Sequence, residues 1–235
     1  MQNTIQKSRS AIFLFSAGLI FLMAACTNLS NDPAPMLVAQ ITFYHGSPDA
    51  PSLQANVDSR PFLTDLLNYS DYTGYRDFWQ GQRRFTFNAP NASTALIDTT
   101  FNIVKEKTYS IFLIEPLTGI EALLVTDSAG VPSSGKAMVR FVHLSPDSPP
   151  MDVVIDGQNG KVFSDVSFKE AAAFREIAAG NFVIQLKDAS SSDVLVTTPD
   201  LVLQTGKYYT IITRGFKNPP EGNTHILSVQ IVENN

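Results

Sequence analysis

The chain repeats itself, and that repeat limits its fold more than any other feature. Residues 41–58 read ITFYHGSPDAPSLQANVD, and residues 139–156 read VRFVHLSPDSPPMDVVID. The two align without a gap, and seven of the 18 positions are identical: Phe43/Phe141, His45/His143, Ser47/Ser145, Pro48/Pro146, Asp49/Asp147, Pro51/Pro149 and Asp58/Asp156. Two weaker blocks follow in the same order. Tyr75-Arg76-Asp77-Phe78 before Gly81 answers Phe174-Arg175-Glu176-Ile177 before Gly180, and Lys107-Thr108-Tyr109-Ser110-Ile111 answers Lys207-Tyr208-Tyr209-Thr210-Ile211. Matching blocks in a fixed order mean a duplicated unit, so whatever one copy folds into, the other must too.

Within each copy, short runs rich in Val, Ile, Phe, Tyr and Thr recur about every ten residues, separated by Gly, Pro, Asn, Asp and Ser. Gln40–Tyr44, Phe85–Asn88, Tyr109–Glu115, Met138–His143, Phe182–Lys187 and Tyr208–Thr213 are such runs. Regular short strands between turn signals point to a sandwich or barrel, and no strand–helix alternation argues for a doubly wound fold. The expectation is an all-β chain with two tandem immunoglobulin-like antiparallel β-sandwich domains, residues 37–128 and 136–235, joined by a turn-rich linker at 129–135. Each is expected to fold as a unit of its own. Phe168–Ala179 has local helix propensity through Lys169-Glu170-Ala171-Ala172-Ala173. The aligned segment of the first copy has none, which favours strand or irregular structure in both.

The N-terminus sets location. Lys7 and Arg9 precede an uncharged apolar stretch from Ala11 to Met23, followed by Ala24, Ala25 and Cys26. A basic start, a short apolar run and small residues before a cut describe a secretory signal, residues 1–25. Cys26 is the only cysteine and stands at the cut. That arrangement resembles the bacterial lipobox, which implies lipid attachment to Cys26 and an anchor in the cell envelope, at an outer membrane or cell surface. Met23 stands where the lipobox prefers Leu. Residues 26–36, polar and proline-containing, read as a tether. A lone cysteine forbids an internal disulfide, so the fold must hold by its core.

The block aromatic-x-His-x-Ser-Pro-Asp-x-Pro, the aromatic-Arg-acidic-apolar-x-x-Gly block and the Lys-x-Tyr-[Ser/Thr]-Ile block together resemble domain of unknown function 4397. The second copy is closer, because Val153-Val154-Ile155-Asp156-Gly157 keeps the family's strand and turn, whereas the first departs at Val57-Asp58-Ser59-Arg60-Pro61. The resemblance implies a fold and an exported location, and no activity.

Several chemistries find little support. Seventeen basic against 22 acidic residues give a net charge of −5; Lys7 and Arg9 belong to the signal, which takes the mature chain to −7. With no basic cluster, nothing favours nucleic acid as a partner. His45, Ser47 and Asp49, and likewise His143, Ser145 and Asp147, contain the residue types of a hydrolase triad. They are crowded into one Ser-Pro-Asp turn, where Ser and Asp side chains serve the backbone. With three histidines in all, the two copies would have to share them to hold zinc, and Asp152, Asp156 and Asn159 lack the spacing of a calcium loop. No catalytic, metal or cofactor residue is nominated. One feature of the first copy is lacking in the second, where the aligned positions are mostly Ala or small: a cluster of Tyr69, Tyr72, Tyr75, Phe78, Trp79 and Phe85, with Arg76, Arg83 and Arg84. Aromatic faces beside arginines suit sugars or a protein hot spot. Trp79, Arg83 and Arg84 are therefore the candidate ligand-binding residues. The expected function is a non-catalytic envelope module for binding, adhesion or scaffolding, with a glycan or envelope protein as partner. The competing expectation is a hydrolase of glycans or esters.

Overall fold

The computed structural model describes residues 38–234. The signal, Cys26 and the tether lie outside the described residues. The first copy supplies β1 (Val38–His45), β2 (Gln54–Val57), β3 (Arg60–Pro61), β4 (Arg76–Trp79), β5 (Gly81–Asn88), β6 (Ala95–Ile103), β7 (Thr108–Ile114) and β8 (Glu121–Thr126). The second supplies β9 (Lys136–His143), β10 (Met151–Ile155), β11 (Lys161–Val166), β12 (Arg175–Ala178), β13 (Gly180–Phe182), β14 (Ile184–Asp188), β15 (Val194–Thr197), β16 (Leu201–Leu203), β17 (Tyr208–Arg214) and β18 (Ser228–Glu233). The apolar runs read from the sequence fall on these strands, except that Phe182–Lys187 is divided between β13 and β14 and Tyr109–Glu115 runs one residue past β7.

Each copy is a β-sandwich. In the first, sheet β4-β1-β7-β8 faces sheet β3-β2-β5-β6; in the second, β12-β9-β17-β18 faces β11-β10-β14-β15, with β13-β16 as a short ribbon beside them. Among the named strands, pairing is antiparallel except once per copy: β1 runs parallel to β7, and β9 parallel to β17. The chain changes sheets abruptly. Only Gln80 separates β4 from β5, and only Ala179 separates β12 from β13. Gly81 and Gly180 make that corner at φ +106° and +153°, conformations that a side chain would disfavour, which explains the glycine shared by both copies.

The first core is ring-rich. Phe43 sits at its centre with ring centroids 4.6 Å from Phe62, 5.7 Å from Phe78 and 5.8 Å from Phe85. Phe141, Val153, Phe163, Ile177, Leu186 and Ile211 fill the second. The alanine-rich stretch 168–179 forms no helix. Ala172 N–H bonds Phe141 O at 2.8 Å, Ala171 bridges Val142, and the stretch ends in β12. Docking against β9 outweighs local propensity.

The outer faces of the two parallel pairs are buried too. Along β1, Ile41 and Phe43 enter the first core while Tyr44 points the other way; along β9, Val139 and Phe141 enter the second core while Val142 points away. The outward residues meet. Tyr44, Phe112 and Ile114 of the first copy pack on Val142, Leu144, Ile212 and Val232 of the second. Parallel strands buried on both faces follow the usual rule for such pairs. The described residues thus form one compact unit, built from two sandwiches back to back.

Strand direction orders the two ends. Val38, Trp79, the 104–107 loop, the linker, Lys136, Lys207 and Asn234 lie at one end, here called the tether end. The Ser-Pro-Asp turns and the loops at 115–120 and 215–227 lie at the other, the distal end.

Candidate binding site

At the distal end the duplicated turn is held by hydrogen bonds, more fully in the second copy than in the first, where His45 Nδ1 and Ser47 Oγ are buried without a partner. His45 Nε2–H donates to Pro51 O at 3.0 Å, and His143 Nε2–H donates to Pro149 O at 3.0 Å. A carbonyl only accepts, so Nε2 carries the proton in both rings. Asp49 Oδ1 accepts Leu117 N–H at 2.7 Å. Asp147 does the same work twice, accepting Lys217 N–H at 2.6 Å and Asn218 N–H at 2.7 Å. Ser145 Oγ donates to Gly215 O at 2.6 Å. Within each motif the His is committed to a proline carbonyl and the Asp to a loop backbone. No His of the motif has its Ser and Asp on its two ring nitrogens, as a triad requires.

The aromatic segment of the first copy is divided among several environments. Phe78 and Phe85 are core. Tyr69 stacks on His225 with centroids 4.1 Å apart, and its burial pushes the phenol up to about 12. Tyr72 packs in the seam between the sandwiches. Tyr75 donates its hydroxyl to Asp127 Oδ2 at 2.7 Å; burial first, then the Asp127 charge, pushes its phenol well up. These rings differ from the second copy because they fill the asymmetric seam. Only Trp79 of the set is broadly exposed, at 59%.

Trp79 ends β4 and is the sole tryptophan of the chain. It borders a cleft of about 280 Å³ lined also by Val57, Asp58, Phe62, Arg76, Asp77 and Arg83. Arg83 fastens the corner. Its Nε–H donates to Trp79 O at 2.8 Å, Nη2–H to Gln80 O at 3.1 Å, and Nη1–H to Asp58 Oδ2 at 2.8 Å. Burial pushes the Asp58 carboxyl up, but the Arg83 guanidinium and the Arg84 N–H outweigh it and hold the group below its usual range. Arg84, the next residue along β5, faces the opposite side of the sheet and pairs with Asp98 on β6 at 2.5 Å. Of the three candidates, the structure brings together Trp79 and Arg83 and places Arg84 outside the cleft. It adds Arg76, exposed and without an ion pair among the described residues. Its match to Arg175 had marked it as part of the repeat and hidden it as a site residue.

A family profile described as "domain of unknown function", number 4397, matches residues 39–154 and again 137–230. The chain belongs to this family. Both copies are members, and the first match runs on into β9 and β10. No curated protein matches the chain. Among solved structures, the chain is similar to a family 26 carbohydrate-binding module from Eubacterium rectale in complex with maltoheptaose. That match has 8% identity and a TM-score of 0.26, and covers 81% of this chain and 96% of the other. It is also similar to a streptococcal virulence factor described as binding alpha-glucan, with 12% identity, a TM-score of 0.24 and coverage of 72% and 92%. Overlaps this loose carry no inference about ligand.

Proposed function

We propose that this member of the family is a lipid-anchored envelope protein that binds without catalysis, and that the Trp79 cleft takes a saccharide. The observation that supports it is an exposed indole at a sheet corner whose backbone the Arg83–Trp79 O bond holds, beside a shallow cleft. An indole face offers a sugar ring an apolar platform, and flanking guanidinium and carboxylate groups match vicinal hydroxyls. Fixing the corner's backbone beforehand lowers the entropy cost of binding. The anchor reading is supported by Cys26 at the end of a signal-like segment.

Two experiments test it. Substituting Cys26→Ser should move the protein from the membrane fraction to the soluble exported fraction; unchanged fractionation refutes the anchor. Screened against immobilised glycans, the mature protein should be captured, and Trp79→Ala should lose capture while keeping its melting temperature. Equal capture by both proteins, or capture by no glycan, refutes the cleft.

A further inference from the structure

Resting on the saccharide reading of the Trp79 cleft, we infer that Arg76 and Asp77 are its specificity-determining residues and that the ligand they select is an uncharged sugar. The second copy has the same corner in a closed form, and the difference between the two corners picks out the groups that the first copy keeps free.

In the second copy the equivalent arginine and acid are committed to the protein. Arg175 stands where Arg76 does. Its Nη1–H donates to Val162 O at 2.5 Å, and its guanidinium lies 5.4 Å from the centre of the Phe163 ring. Glu176 stands where Asp77 does, and its Oε1 accepts Ser133 N–H at 2.6 Å and Ser133 Oγ–H at 2.8 Å. Ala178 takes the place of Trp79, and Phe182 that of Arg83. The Phe182 ring lies against Gly180 and Gly157 and packs on the second core. That corner presents no indole, and its arginine and acid both have partners.

In the first copy the groups divide into those that build the corner and those left over. Asp58 keeps the role of Asp156: its Oδ1 accepts Arg84 N–H at 3.1 Å, as Asp156 Oδ1 accepts Val183 N–H at 2.6 Å. Arg83 takes the other oxygen of Asp58 and also holds Trp79 O and Gln80 O. Arg76 and Asp77 make no side-chain hydrogen bond and no ion pair among the described residues, though both are exposed and both border the cleft. β4 is the edge strand of its sheet, so neighbours on its two faces both reach the cleft. The pair is thus free in the copy that sets an exposed indole beside it.

The charges name the ligand class. Arg76 and Arg83 border the cleft together with Asp58 and Asp77, so it carries no net charge. An acidic sugar would gain Arg76 and meet Asp77 at the next residue. An amino sugar would gain Asp77 and meet Arg76. A sugar hydroxyl both donates and accepts. Neighbouring hydroxyls of a neutral ring donate to Asp77 and accept from Arg76, each bond assisted by a charge, while the ring lies on Trp79.

The test measures capture of the mature protein by immobilised dextran, galactan, mannan and chitin oligomers, each beside its own carboxymethyl and aminoethyl derivatives. At least one neutral glycan should hold the protein, with both of its charged derivatives weaker by about tenfold or more. Asp77→Asn should weaken the neutral glycan and shift preference toward the carboxymethyl form. Arg76→Gln should weaken it and shift preference toward the aminoethyl form. Neither should change the melting temperature, since neither side chain has a partner to lose. In the second copy, Arg175→Gln and Glu176→Gln should do the opposite, lowering the melting temperature and leaving capture unchanged. A charged derivative held by wild type as tightly as its neutral parent overturns the selection of an uncharged sugar. Variants of Arg76 and Asp77 that keep the wild-type affinity and preference overturn their assignment. In both cases capture that still requires Trp79 leaves the saccharide reading standing. Capture by no glycan overturns both.

Discussion

Asp127, just past β8, and Arg140, in the middle of β9, join the two sandwiches through a buried ion pair with Oδ1 and Nη1 2.5 Å apart. Arg140 also donates to Thr210 Oγ1 at 2.9 Å and Ser110 Oγ at 2.8 Å, and its guanidinium lies 4.8 Å over the Phe174 ring. The parts come from equivalent places in the two copies. Ser110 matches Thr210, Thr42 matches Arg140, and Asp127 matches Asn234, for Asp127 N–H bonds Thr108 O as Asn234 N–H bonds Tyr208 O. Duplication supplied two similar faces, and divergence at one position on each made them complementary. Removing one member of a buried pair leaves the other uncompensated, at a cost of about 3–5 kcal/mol. Arg140→Met should therefore lower the urea midpoint sharply. Combining it with Asp127→Asn should recover much of the loss. A single mutant that unfolds like wild type contradicts a structural role for the pair.

That relationship was not legible in the sequence. In Val-Arg-Phe-Val-His, strict alternation puts Phe141 inside and Arg140 outside, toward solvent. Alternation identifies a second face without saying what covers it. Arg140 is only 1% exposed because another sheet lies there. The same gap made Tyr69, Tyr72 and Tyr75 look like a ligand platform. Their absence from the second copy was a real signal, but it reported the asymmetry of the seam. What the sequence carried well was local: the strands, the glycines shared at Gly81 and Gly180, and the Ser-Pro-Asp turns.

The seam also bears on whether the copies fold alone. Each has its own core, so a fragment of residues 136–235 should give dispersed amide resonances. It would also expose Val142, Leu144, Ile212 and Val232, an apolar patch made to be covered. The fragment should melt below the full chain and associate as its concentration rises. A fragment that stays monomeric and melts with the full chain would show that the seam adds no stability.

His45 and His143 make stability depend on pH. Burial pushes both imidazoles below their ordinary value, with the bonds to Pro51 and Pro149 opposing it only in part. The unfolded chain takes up protons from about pH 6.5 downward, and the folded chain only at lower pH. Stability is therefore complete above about pH 6.5 and is lost as pH falls below it. Urea midpoints at pH 7.5 and 5.5 should differ accordingly, and His45→Gln with His143→Gln should flatten the difference. A wild-type midpoint constant across that interval would contradict the buried neutral rings.

The final prediction separates the two aspartates of the duplicated turn. Each fixes the loop that follows the parallel strand of its own sandwich, but they differ in the number of donors served. Asp49 accepts one backbone N–H, from Leu117, while Asp147 accepts two, from Lys217 and Asn218. Side-chain acceptors for otherwise unpaired backbone donors are worth about 0.5–2 kcal/mol each. Asp49→Ala should fall at the low end of that range and Asp147→Ala near or above its upper end, by chemical denaturation of the full chain. Neither should change glycan capture, because both lie at the distal end and Trp79 at the tether end. Equal, negligible losses of stability would remove the capping role. Loss of capture with unchanged stability would move the binding site to the distal turns and away from Trp79.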